Sequence, residues 1–411
     1  MNPLGLFEGF GIEIEYMIAD VDTLDIRPIA DRLLSVLSGI ENAGDATLGG
    51  GIGMSNELVL HLIELKNEDP RVSLASLPAA FLAAVRRTNE ALAPLNCRLL
   101  PTGMHPWMKP ASEAMLWPHD YHEVYETYDR IFDCKRHGWA NLQSTHINLP
   151  FSDDDEFARL HAAARLVLPL IPGIAASTPL FESKLTPFAN NRLEVYRSNA
   201  AKLPRVTGHL VPEAIFDIDE YHEKILEPLY RDIARLDEDG ILQHEWLNAR
   251  GAIARFDRDA IEIRLVDCQE TPRADIAVTT AVVAVVRALC EGRWTGQDKQ
   301  RSFAPDRLYE LLMHGARDAE RTMVSDADYL AVLGRKGRTQ MTMGQIWSEL
   351  VAELVPAADP LRPTIDHILG KGTLSTRISR RLGAGELGRG RIQELYRGLA
   401  DCLANDRLLD E

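Results

Sequence analysis

The sequence predicts an α+β protein, on three observations. Three short segments far apart in the chain alternate with period 2 and each shows one polar or charged face: Glu13/Glu15, His146/Asn148 and Glu262/Arg264. Ala/Leu-rich helical patterns lie between them, and from Ala274 onward the pattern is almost wholly helical. Polar-faced strands in front and helices behind define a mixed architecture with a largely helical C-terminal part.

Taken in order, residues 11–18 form the first strand, with Ile12, Ile14 and Tyr16 opposite the two glutamates. Residues 28–37 read as a short helix, and glycines 49, 50, 51 and 53 as a turn. Residues 57–66 suit a strand or a helix: Glu57 and Glu64, seven apart, share a helix face but oppose each other on an unbroken strand. If both serve one site, that segment is helical, bulged or bent. Helices are expected at 74–92, 122–130 and 153–168, with a strand at 98–102. Residues 143–150 form a strand halted by Pro150, and residues 261–265 another. No linker or repeat divides the chain, so residues 1–290 are expected to form the sheet core and 291–411 a helical region packed on it.

Of 411 residues, 45 are basic and 61 acidic, a formal net charge of −16. A balance this acidic argues against nucleic-acid binding, which needs a basic surface. The five cysteines are scattered without a CxxC pair, which fits a reduced, cytoplasmic protein rather than a zinc ribbon or disulfide framework. Residues 1–16 lack a basic n-region and a long apolar stretch, so no signal peptide is expected. Residues 276–286 are apolar but only about half a membrane span, so no membrane segment is expected. Neither residues 49–53 nor 370–373 is a phosphate-binding Walker loop, since no Gly-Lys-Ser/Thr completes either.

Any one of the polar faces taken alone fits a solvated side of an antiparallel sheet. Together they assemble acids, an imidazole and a carboxamide, donors that suit hard cations such as Mg²⁺ or Mn²⁺. Carboxylates around such ions, with an arginine among them, are equipment for phosphoryl transfer from ATP. Cys268 reads as a small buried hydrophobe, and His105 before Pro106 as a turn former.

These motifs, in this order, resemble the glutamate–cysteine ligase type 2 family and its carboxylate–amine ligases. Gly11-Ile-Glu13-Ile-Glu15-Tyr resembles the family's opening strand, and Glu57 with Ile63-Glu64-Leu-Lys66 its second acidic segment, although Lys66-Asn67 departs from a common threonine. Gly103-Met-His105-Pro-Trp107, Gln143-Ser-Thr-His146-Ile-Asn148-Leu and Ile261-Glu262-Ile-Arg264-Leu are similar to three further family elements. The resemblance implies a glutamine-synthetase-like fold, a curved antiparallel sheet forming a funnel. It implies ATP-dependent amide formation through an acyl phosphate, often on the γ-carboxylate of glutamate, with small amino-acid substrates. By position it implies Glu13, Glu15, Glu57, Glu64, His146 and Glu262 as metal ligands, and Glu262 and Arg264 as catalytic. Arg264 and Arg255 would meet ATP, Arg192 and Arg197 would clamp a substrate carboxylate, and Gln143 and Asn148 would line the acceptor pocket. A guanidine phosphotransferase and a silent ATP- or amino-acid-binding protein of the same fold stay open as alternatives, as do the acceptor's identity and a homo-oligomer.

Overall fold

A computed structural model describes residues 4–383 and 387–410. At its centre lies an open, antiparallel sheet of eight strands. The strands are β1 (Gly11–Asp20), β2 (Asp45–Gly49), β3 (Ile52–Asn56), β4 (Leu62–Asn67), β5 (Cys97–Leu100), β6 (Ser144–Pro150), β7 (Ala252–Arg255) and β8 (Ala260–Asp267). They lie in the order β2-β3-β4-β1-β6-β8-β7, and β5 continues the β6 side of β1 by pairing with residues 17–20.

Strand parity decides what faces what. Pairing sets Glu13 opposite both Lys66 and His146, Glu15 opposite Glu64, and Asn148 opposite both Gly11 and Glu262. Directly opposed residues share a face, so the acids and the imidazole fall on one side of β4, β1, β6 and β8. The alternate residues Ile12, Ile14, Ile63, Leu65, Ile147, Leu149, Ile261 and Ile263 are fully buried on the other. Glycines 49, 50 and 51 all have positive φ, which is why the tight β2–β3 turn is made of glycine.

The helices up to residue 290 include α1 (Ala30–Ser38), α2 (Leu77–Leu92), α3 (His122–Phe132), α4 (Asp154–Val167), α5 (Asn191–Tyr196) and α6 (Pro272–Cys290). Helix α4 starts at Asp153, whose side chain accepts from the Glu156 backbone N–H. Helix α6 is apolar nearly all round and almost wholly buried, as a central helix must be; it packs against α2 and α4. Beyond it come α7 (Pro305–Asp318), α8 (Met343–Leu354), α9 (Arg362–Lys371), α10 (Leu374–Leu382) and α11 (Arg389–Asn405). One hydrophobic cluster runs from Ile12 to Leu408, so residues before and after 290 contribute to the same core. All five cysteines are free and buried, and no helix among the described residues is long and apolar enough to cross a membrane.

The 57–66 ambiguity resolves as a bend. Strand β3 ends at Asn56, residues 57–61 turn, and β4 begins at Leu62. The turn cancels the strand parity that would have put Glu57 and Glu64 on opposite faces.

If the apolar back of β6 carries the sheet, Ile147→Ala should cost about 2–5 kcal/mol of unfolding free energy. Val36→Ser, at a position 65% exposed on α1, should stay within about 0.5 kcal/mol. The shift of the urea midpoint in each variant measures both.

Candidate active site

The acidic face closes into a knot at the middle of the sheet. The His146 Nδ1 lies 3.1 Å from Glu13 Oε2 and 3.9 Å from Glu262 Oε1. One ligand atom from each of these three residues falls within 4.8 Å of the others. Donors around a magnesium ion at ~2.1 Å stand ~3.0–4.2 Å apart, so only a small contraction separates this arrangement from a coordination shell. On the Nε2 side of the ring, Ser144 Oγ is 2.9 Å away. Ser144 donates to Glu15 Oε2 from both its backbone N–H, at 2.6 Å, and its hydroxyl, at 2.8 Å.

Cations ring the acids. Arg264 Nε is 3.2 Å and Arg255 Nη1 3.3 Å from the two oxygens of Glu262. Arg258 approaches Glu13 Oε1 at 3.5 Å, and the Asn148 amide donates to the same oxygen at 3.3 Å. Lys66 reaches Glu64 at 3.3 Å and Ser55 at 3.0 Å.

Two cavities meet at this knot. One, of about 250 Å³, is lined by Glu15, Glu57, Ser144, His146, Arg192 and Arg264 together with a wall of aromatic side chains. The other, of about 310 Å³, is lined by Gly11, Glu13, Lys66, Asn148 and Arg258 among others. Glu13 thus faces one hollow while its partner His146 faces the other.

Crowded carboxylates perturb one another. Burial opposes ionisation of Glu13, but the hydrogen bond and charge of His146, with the charges of Arg258 and Lys66, outweigh it and hold the carboxyl at about 2. Burial and the charge of Glu13 push Glu64 up to about 7 against the pull of Lys66 and His146. Burial and the charges of Glu64, Glu15 and Glu13 raise Glu57 well above the carboxylate range. Burial disfavours the imidazolium of His146, yet Glu13, Glu15 and Glu262 raise it above its ordinary value. Perturbation of this kind concentrates where a cation or substrate is to be received. The donor set, mostly carboxylate oxygen with one imidazole, suits a hard divalent cation. Asn148 Oδ1 is buried there without a hydrogen-bond partner, which fits a ligand contributing the missing contact.

Of the residues singled out from sequence, Glu13, Glu15, Glu57, Glu64, His146, Glu262, Arg264, Arg255 and Asn148 come together in this basin. Four placements depart from expectation in whole or in part. Gln143 lies on the opposite parity from Ser144 and His146; its Oε1 accepts from the Met17 N–H at 2.6 Å, and it lines neither cavity. Arg197 ends α5 five residues after Arg192, on another side of the helix; it is exposed and paired with Glu194 at 2.6 Å, outside both cavities. Arg192 does reach the cavity wall, but its Nε is bound to Asp267 at 2.7 Å and its Nη2 donates to the Arg264 and Val266 carbonyls. Asn148, expected beside an acceptor, lines the other hollow.

His105 is buried, with Nδ1 accepting from the Met108 backbone N–H at 3.0 Å, and so shapes the turn as expected. Just before it, a Cβ at Gly103 would sit 2.9 Å from both Asp267 and Thr178, so only glycine lets this loop approach the Arg192 anchor. Sequence reasoning missed Ser144 as the bridge between Glu15 and His146, although its parity with His146 was legible. It also missed the aromatic wall, in which Tyr125 and Tyr128, three apart on α3, meet Trp139, Tyr196 and Trp246 from other segments.

Comparison with known proteins accords with this geometry. The sequence matches glutamate–cysteine ligase family 2 over residues 9–354, and the chain belongs to that family. An uncharacterized protein of Archaeoglobus fulgidus is 35% identical over 282 residues, covering 68% of this chain and 74% of that one. A Rubrobacter xylanophilus protein, provisionally named glutamate–cysteine ligase 2-3, is 25% identical over 190 residues, spanning 45% of this chain and 47%, about half, of its own. The crystal structure of a glutamate–cysteine ligase from Francisella tularensis in complex with AMP shares the fold. Its TM-score is 0.63 at 12% identity, over 98% of this chain and 90% of that one. The fold is therefore that of a glutamate–cysteine ligase, as the sequence implied, and the family is one of carboxylate–amine ligases.

Glu64 gives a pH test. Its folded value, about 7, lies above the ordinary carboxylate value, so its contribution to stability is full below that ordinary value and is lost as pH rises through about 7. A divalent cation bound there replaces the proton. Mg²⁺ should therefore raise the melting temperature more at about pH 8 than at about pH 5.5, measured by differential scanning fluorimetry at fixed ionic strength.

Proposed function

We propose that the protein joins a carboxylate to an amine at the expense of ATP, with Mg²⁺ or Mn²⁺, and that the γ-carboxylate of glutamate is the first candidate donor. The observation that carries this reading is the Glu13–His146–Glu262 cluster, flanked by Arg264 and set between two cavities. The AMP in the Francisella ligase structure supports a nucleotide as co-substrate here as well.

Glu13, His146 and Glu262 would hold one divalent cation, and Glu15, Glu57 and Glu64 a second. Bound there, the cations neutralise triphosphate charge and polarise the γ-phosphoryl oxygens. The hollow lined by Asn148, Lys66 and Arg258 takes the nucleotide in this reading. Arg264, partly exposed to the first cavity, is placed to accept the charge that spreads over the transferred phosphoryl oxygens. Arg255 holds the far oxygen of Glu262 and so orients it.

The donor carboxylate oxygen attacks the γ-phosphorus and ADP departs, leaving an acyl phosphate. The amine nitrogen then attacks the acyl carbon, the carbon–oxygen bond to phosphate breaks, and a proton leaves the nitrogen with the phosphate. Phosphorylation matters because a free carboxylate oxygen is too poor a leaving group at neutral pH.

Purified protein with ATP, Mg²⁺, glutamate and a panel of amines should release ADP and phosphate and yield an amide visible by mass spectrometry. Glu262→Gln and Arg264→Ala should each lower kcat by roughly 10²-fold or more while the circular-dichroism spectrum is kept. ATP binding without ADP release for any donor and acceptor would instead mark a silent binding protein.

A further inference from the structure

The cavity beside the acidic cluster is unevenly furnished. Its charged lining is Glu15, Glu57, His146, Arg192 and Arg264, with Ser144 and Asn199 the other polar side chains besides the ring hydroxyls and indoles. Much of the rest is rings and alkyl groups. Tyr128 packs on Trp139 at 5.4 Å and on Trp246 at 5.8 Å between centroids, giving a continuous aromatic wall, and Leu58, Leu142 and Leu247 extend it.

The cationic groups in that lining already have acidic partners. Arg192 is held by Asp267, with the two side chains 2% and 0% exposed. Arg264 sits against Glu262, and His146 against Glu13. Lys109, Lys135 and Arg136 line a separate hollow that meets this one at Gly138, Trp139 and Asn199, and Lys66 is paired with Glu64. A donor such as glutamate engages the remaining edges of Arg192 and Arg264. No further cation in that lining is then left to balance a second carboxylate, whose burial against rings without a charged partner is unfavourable. An alkylammonium needs no such partner and meets ring faces beside it.

We propose that the acceptor is a carboxylate-free amine with an arylalkyl or alkyl body, seated on the Tyr128–Trp139–Trp246 wall, rather than an α-amino acid. The inference rests on the ligase reading above and specifies the substrate class of the same site.

Matched pairs isolate the carboxylate: tyramine against tyrosine, and cysteamine against cysteine, each with ATP, Mg²⁺ and glutamate. The amine should exceed its amino acid in kcat/KM by about tenfold or more in both pairs, with tyramine the best of the four. Trp246→Leu should raise the KM for tyramine more than that for cysteamine. Equal rates, or preference for the amino acids, would overturn the inference and leave the ligase reading standing. Equilibrium binding, read by quenching of tryptophan fluorescence without ATP, separates the two claims. Tighter binding of tyramine than tyrosine without turnover would uphold the pocket's selectivity and refute the ligase reading, whereas equal binding would refute the selectivity.

Discussion

Repulsion among carboxylates is the constraint on which the site depends. Glu13, Glu15, Glu57, Glu64 and Glu262 share one basin, and Glu57 and Glu64 are raised first by burial and then by the charges of their neighbours. Charges this close interact far more strongly away from bulk water than in it. The protein offsets part of that repulsion with His146, Lys66, Arg255, Arg258 and Arg264. What remains is a field that favours cations.

Such a basin lowers stability, so the rest of the fold has to compensate. Strand alternation does this economically, because every residue that turns an acid into the funnel is flanked by one that turns an apolar group the other way. Beneath Glu13, His146 and Glu262 lie Ile12, Ile14, Ile147, Ile261 and Ile263, all fully buried. Helices α4 and α6 back this apolar layer. Asp267, at the end of β8, ties Arg192 to the sheet, and Gly103 leaves room for that contact. Packing and chemistry thus occupy the two faces of the same strands.

Much of this was legible in the residues. The period-2 faces of β1, β6 and β8 announced both the sheet and its polar side, because parity is a local property. Their convergence was not local: the register that sets Glu13 against His146 and Lys66 depends on pairing across the chain. Glu57 and Glu64 were ambiguous because a bend at 57–61 leaves no distinctive signature. Gln143 was misplaced by one residue of parity, and Arg197 by the rotation of a short helix. The aromatic wall escaped notice because rings at helical spacing read as core until tertiary packing shows that some of them border a cavity.

The central claim is that Glu13, His146 and Glu262 form a divalent-cation centre between the two hollows. Anomalous diffraction from crystals grown with Mn²⁺ and a non-hydrolysable ATP analogue tests it most directly. The account predicts a manganese peak in contact with all three side chains, with the analogue's phosphates beside it. A manganese ion and a nucleotide bound elsewhere, with this cluster empty, would contradict it.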